Sequence, residues 1–306
     1  MTTSTGTETH TNPRSETDCD PYTGTHTVTY TTAHTATPVS AHPEMTTIPA
    51  CLISAMPEEM APLMSLLQKT GSYTLHTISS PIGTITEVYS AESTEASAGS
   101  STPTFLLAVT GIGFTATASC LGWLLAHYEP HALFSIGSAG GLSSDARVKE
   151  VVLGTRYRDG GADGTAFGYV RGQVPGQPEY FTASAALLAA GAAAALESET
   201  IVPSSLQLGN IDIRTGEMLS SDTFVTDANV GDMRDAFPEA VTADMESYAA
   251  AHVAHQWGVP FLSVRGISDL CSRPEDQSVA FHAELADVAT RSAHTVLAII
   301  RATQLV

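Results

Sequence analysis

The sequence predicts an α/β domain built on a largely parallel sheet. Three observations carry that expectation. Short apolar runs recur at residues 48–55, 105–109, 132–136 and 261–267. Longer segments with helical character lie between them, and the two kinds alternate along the chain. Runs without a polar face suit strands covered on both sides by helices. The third observation is size: 306 residues, 43% of them hydrophobic, can bury a core of this kind.

Residues 1–45 stand apart from that pattern. They hold 15 Thr and 3 Ser and no Leu, Ile, Phe or Trp. Such a segment cannot bury enough apolar area to offset its ordering entropy, so a disordered tail is expected, with the domain occupying residues 46–306. Residues 48–55 read as the first strand. Pro57 suits the start of a helix, with Glu58 and Glu59 complementing the dipole in its first turn. Residues 72–90 alternate and contain Pro81 and Gly83, which predicts a hairpin, and 91–103 read as an extended loop.

A strand at 105–109 leads into a helix at 114–127. The strand at 132–136 ends in Gly137-Ser138-Ala139-Gly140-Gly141. Beyond it come a short strand at 151–153, a long connection over 155–180 and an Ala-rich helix at 183–196. Strand-like sequence at 208–219 follows, then helices at 229–236 and 245–257, a strand at 261–267 and a closing helix at 281–301. No internal repeat is present.

Charge and composition exclude several partners. The formal charge is −19, only Lys69 and Lys149 are lysines, and no Lys/Arg cluster exists. Nucleic acids and anionic membranes need a basic surface, so neither is expected as a partner. The four cysteines, Cys19, Cys51, Cys120 and Cys271, form no CxxC pair. Neither a disulfide framework nor a Cys-rich zinc site is expected, and a reducing cytoplasm is the expected location. No run is long and apolar enough for a membrane span, and the first residues lack a signal-peptide pattern. The histidines of the tail, His10, His26, His34 and His42, are too widely spaced to read as a metal tract.

Three groups of residues could carry chemistry. Gly111-Ile112-Gly113-Phe114-Thr115-Ala116 fits the dinucleotide fingerprint in form. The acid that should close the next strand is missing, because Gly137-Ser138 stands there, so a tight strand-to-helix turn near a pocket is the better reading. The glycine-rich 137–141 stretch could let a ligand approach the backbone at a strand's carboxyl end, or could be an ordinary turn. The third group is acidic. Dipole complementation accounts for Glu58 and largely for Asp244. It does not account for Asp269, which directly follows a core strand and needs partners or a raised pKa. Two carboxyl groups across a pocket suit cleavage of a glycosidic bond, one protonating the leaving group and the other deprotonating water.

Several short segments, taken together, resemble a known family. They are 55–60 (Ala-Met-Pro-Glu-Glu-Met), 138–141 (Ser-Ala-Gly-Gly), 165–169 (Thr-Ala-Phe-Gly-Tyr), 221–225 (Ser-Asp-Thr-Phe-Val), 244–246 (Asp-Met-Glu) and 265–269 (Arg-Gly-Ile-Ser-Asp). In that order they resemble the bacterial 5′-methylthioadenosine/S-adenosylhomocysteine nucleosidases of the nucleoside phosphorylase superfamily, over roughly residues 48–303. The resemblance implies a three-layer α/β/α domain around a central mixed sheet, a homodimer, a small-molecule nucleoside substrate and no metal or organic cofactor.

By the same resemblance, Glu59 activates the attacking water, with Ser138 and Arg265 helping to place it. Asp269, supported by Ser268, protonates N7 of adenine. Ala139 and Gly140 border the substrate, Glu246 holds ribose hydroxyls and Met245 lines the sugar. Phe224 stacks on the base and the Val225 backbone reads its edge. Phe281 matches a pocket aromatic, although the preceding stretch 270–280 is longer than is typical. Phe167 and Pro175 match residues that reach into the partner subunit's pocket.

Other readings of the same residues are a purine nucleoside phosphorylase, a futalosine or aminofutalosine hydrolase of the same fold, and a non-catalytic nucleoside-binding protein. A phosphorylase would have to bind an anion where this chain has Glu58 and Glu59. A binding protein has no need of a paired acid and base.

Overall fold

A computed structural model describes residues 45–90, 102–197, 211–271 and 277–305. Ten strands form one sheet: β1 Thr46–Ser54, β2 Tyr73–Ser80, β3 Gly83–Ser90, β4 Phe105–Val109, β5 Tyr128–Gly141, β6 Val151–Asp159, β7 Phe181–Thr182, β8 Ile213–Ser220, β9 Ala240–Asp244 and β10 Phe261–Leu270. The helices are α1 Pro57–Lys69, α2 Phe114–His127, α3 Ala185–Glu197, α4 Val230–Ala236, α5 Ser247–Trp257 and α6 Gln277–Ala302. The Thr-rich stretch 1–44 with Cys19, most of the expected 91–103 loop, and residues 198–210 lie outside the described residues.

The sheet runs β10-β6-β8-β9-β5-β1-β4-β3-β2, with β7 on β6. It is mixed rather than largely parallel. β1 pairs parallel with β4 and β5, β10 with β5, and β8 with β6 and β9. The pairings β2–β3, β3–β4, β5–β9, β6–β7 and β6–β10 are antiparallel. Because β10 also pairs with β5, the strands β5, β10, β6, β8 and β9 close into a ring.

Alternation along β1 shows how the layers form. Ile48, Cys51 and Ile53 join the core under α2 and α5, with Leu121, Leu124, Ala250 and Ala254. Ala50 and Leu52 point the other way, into the core under α1 and α6, with Leu63, Leu67, Val296 and Ile300. Successive side chains on a strand face opposite sides, so a continuous apolar run fills two cores at once. The result is a three-layer α/β/α domain.

Four sequence expectations change in extent. The strand at 132–136 is 14 residues long and includes Gly137–Gly141, which is strand rather than turn. The strand at 151–153 continues to Asp159, so the long connection covers only residues 160–180. β9 was not foreseen, and Asp244 ends it instead of opening a helix; α5 begins at Ser247. β10 continues past Ile267 to Leu270, which carries Asp269 on the strand itself.

Candidate active site

The carboxyl ends of the ring strands and the start of α1 enclose a cavity of about 290 Å³. Glu59 reaches it from the first turn of α1. Its side chain turns back on the strand-to-helix junction, where Oε2 accepts from the backbone N–H of Ala55 at 3.1 Å and Met56 at 3.2 Å. Oε1 accepts from the N–H and the hydroxyl of Ser138, both at 2.8 Å. Four donors therefore converge on a carboxylate that is only 2% exposed. Glu58, beside it in the helix, is exposed at the surface, as a dipole complement should be.

Gly137 makes this approach possible. Its φ is +151°, and a Cβ there would lie 2.5 Å from Glu59 Oε1 and 2.8 Å from Arg265 Nη1. No side chain fits between those two groups.

Asp269 enters from β10 and is 3% exposed. Ser268 donates its hydroxyl to Oδ2 at 2.8 Å, while Oδ1 has no hydrogen-bond partner. Burial raises the pKa of this carboxyl, with the Ser268 bond opposing. Gly140 leaves room beside it: a Cβ there would lie 2.6 Å from Cys271 Sγ and 3.4 Å from Asp269 Oδ1.

Arg265 lies behind the cavity, fully buried. Its Nε is 3.5 Å from Asp244 Oδ2 and its Nη2 is 3.4 Å from Glu246 Oε2. Nη2 also donates to Ser135 Oγ at 3.0 Å. Burial works against the guanidinium charge, but Asp244, Glu246 and Glu59 outweigh it and hold its pKa above the ordinary value. Glu246 is pushed up to about 7, chiefly by burial, with Arg265 opposing and Asp244 and Glu59 adding to the rise. Its Oε1 accepts from the Gly113 N–H at 3.1 Å, and Asp222 Oδ1 accepts from the Phe114 N–H at 2.8 Å. The protein's own carboxylates thus occupy the start of α2, where a dinucleotide phosphate would have to sit.

Ser138, Ala139, Gly140, Met245, Glu246 and Ser268 line the cavity together with Glu59 and Asp269. Phe224, Val225 and Phe281 line it too, and the rings of Phe224 and Phe281 meet edge-on at 6.4 Å. Phe167 and Pro175 do not line it. Phe167 is 82% exposed on the 160–180 connection, and Pro175 is exposed on the same segment. Residues not foreseen as lining the site include Ile112, Cys271, His282 and Asp244. Among them Asp244 was misread: it is 8% exposed and bound to Arg265. Its place after a short Ala-Val-Thr-Ala strand was the available signal. No group of three or more metal-ligating side chains occurs among the described residues.

The family model of the phosphorylase superfamily matches residues 49–303. The chain belongs to this superfamily. It is accordingly an enzyme, and its mixed sheet between helical layers is the fold of its structural neighbours. A 5′-methylthioadenosine/S-adenosylhomocysteine nucleosidase from Neisseria meningitidis, in complex with methylthio-immucillin-A, is 28% identical. The match covers 84% of this chain and 99% of that one, with a TM-score of 0.69. The corresponding nucleosidase from Colwellia psychrerythraea, in complex with adenine, is 25% identical over 85% of this chain and 96% of that one, with a TM-score of 0.68. Futalosine hydrolase of Helicobacter pylori shares the fold at a TM-score of 0.70 and 20% identity, covering 84% of this chain and 98% of that one. Within the superfamily the chain therefore sides with nucleosidases, and the substituent on the sugar is left for its own residues to decide.

Proposed function

We propose that this enzyme hydrolyses the N-glycosidic bond of 5′-methylthioadenosine and S-adenosylhomocysteine, releasing adenine and the 5-thioribose product. The observation that carries the reading is the pair Glu59 and Asp269, two buried carboxyls on one cavity in opposite hydrogen-bonding environments. Asp269, with its raised pKa and unpartnered Oδ1, protonates N7, so that adenine departs neutral as the C1′–N9 bond breaks. Glu59, held rigidly by four donors, takes a proton from the water that forms the new C1′–O bond. Ser138 and Arg265 flank Glu59 and help to place that water.

Glu246 accepts from the ribose hydroxyls and Met245 packs on the sugar. Phe224 stacks on adenine, with Phe281 across from it, and the Val225 backbone reads the base edge. The exposed positions of Phe167 and Pro175 fit a homodimer in which each subunit completes the other's alkylthio subsite. A cytoplasmic setting agrees with Cys51, Cys120 and Cys271, all buried and free.

The lining argues against phosphorolysis. It contains four carboxyl residues, Glu59, Asp244, Glu246 and Asp269, and no Lys or Arg. A carboxylate about 4 Å from a phosphate oxygen repels it by roughly 4 kcal/mol at an effective dielectric near 20. The deciding experiment measures adenine release from methylthioadenosine, S-adenosylhomocysteine, adenosine and aminofutalosine, with and without phosphate. Phosphate-independent release from the two thio-nucleosides is the expected result. A phosphate requirement, or release from aminofutalosine alone, would replace this reading.

A further inference from the structure

Arg265 presents a problem in positioning. A buried guanidinium needs partners on every edge, and a planar fork placed among three carboxylates could settle on any of them. On its Nε edge lie Asp244 Oδ2 at 3.5 Å and the hydroxyls of Ser247 and Ser263, each at 3.3 Å. On Nη2 are Ser135 Oγ and Glu246 Oε2. Nη1 is left pointing to the Ser138 carbonyl at 3.4 Å, against Gly137, where it converges with Glu59.

Asp244 is itself immobilised. Its Oδ1 accepts from Ser220 Oγ at 2.7 Å, from the Glu246 N–H at 3.0 Å and from the Ser247 N–H at 2.9 Å. Its Oδ2 accepts from the Ser247 hydroxyl. One carboxylate therefore fixes the Nε edge of Arg265 and, through two backbone N–H groups, the turn that carries Glu246.

We propose that Asp244 is a positioning residue that sets the water end and the ribose end of the site together, by holding Arg265 between Glu59 and the Glu246 turn. The inference deepens the proposed nucleosidase reading and rests on it. Asp244 acts on the sugar half alone, because the base half is built from Phe224, Val225 and Asp269, none of which it bonds. A merely structural acid would affect both halves.

Asp244→Asn separates the two roles. The amide oxygen can keep the bonds from Ser220, Glu246 and Ser247, while the amide nitrogen turns a donor toward the donor Nε. In the purified enzyme, kcat for methylthioadenosine should fall by at least about tenfold, since a small misplacement of a catalytic group is costly. The affinity for the nucleoside relative to adenine, read by calorimetry, should fall as well, while adenine alone binds within about twofold of the unaltered enzyme. Ser247→Ala removes only the bridging hydroxyl and should show the same split at about threefold. This variant decides the matter if Asp244→Asn fails to fold.

An unchanged kcat with an unchanged nucleoside-to-adenine ratio would overturn the proposal, and so would a parallel loss of adenine and nucleoside affinity. If the unaltered enzyme binds both ligands but turns neither thio-nucleoside over, the proposed reaction fails. The affinity ratio still judges Asp244 in that case.

Discussion

Glu59 and Asp269 are nearly equal in burial, at 2% and 3% exposure, and opposite in everything else. Glu59 sits at a helix start, where two backbone N–H groups of the junction and two donors from Ser138 reach it. Asp269 sits on a strand whose backbone is committed to the sheet, and only the neighbouring Ser268 hydroxyl serves it. The same chemical group becomes a proton acceptor held in place at one wall and a proton donor kept short of partners at the other. The difference shows that donors, rather than depth, divide the labour between two buried acids.

The largest test of this contrast is Glu59→Gln. It keeps size and loses the ability to take a proton, so kcat should fall by at least about a hundredfold while nucleoside binding persists. Retained turnover would show that the base lies elsewhere. Asp269→Asn should also lose most turnover, but a substrate whose base departs without N7 protonation should recover part of it, and Glu59→Gln should gain nothing from that substrate. The pH profile carries the sign. Asp269 is needed protonated, so activity falls as pH rises through its raised pKa, and Asp269→Asn should lose that alkaline limb.

Gly137→Ala probes the donor side. Its Cβ would push on Glu59 and Arg265 together, and a loss of both melting temperature and kcat is expected, smaller in kcat than that of Glu59→Gln. Phe167→Ala lies away from both acids. It should raise KM for alkylthio substrates a few-fold and leave adenosine nearly unchanged, through lost apolar contact in the partner's pocket. A monomer in light scattering with full activity would remove its basis. Deletion of residues 1–45 should change neither melting temperature nor kcat.

Much of this was legible in the sequence, and the gaps have physical causes. β1, β4, the middle of β5 and the first part of β10 announced themselves because strands buried on both faces are apolar throughout. The extensions did not. Gly137–Gly141 are strand because β10 pairs along them, and glycine has no local preference to say so. β9 is five residues, Ala-Val-Thr-Ala-Asp, held between β8 and β5 by partners remote in sequence. Asp244 was taken for a helix complement because its decisive partner, Arg265, is 21 residues away on another strand. Arg265 itself has no local signature, since an arginine inside an apolar strand reads as surface until a fold buries it. The resemblance to a family pointed to it, and periodicity did not.

The closed ring of strands also orders events during synthesis. Glu59 emerges early and its Ser138 partner some 79 residues later, but Arg265 and Asp269 lie on β10, which closes the ring between β5 and β6. Contacts between distant parts of a chain form slowly, because loop closure precedes any reward. Until β10 docks, Glu59, Asp244 and Glu246 would crowd one wall with no cation between them. The partly made chain is therefore held open at its future site by its own charge, and the residue that relieves the repulsion arrives on the same strand as the acid that completes the chemistry.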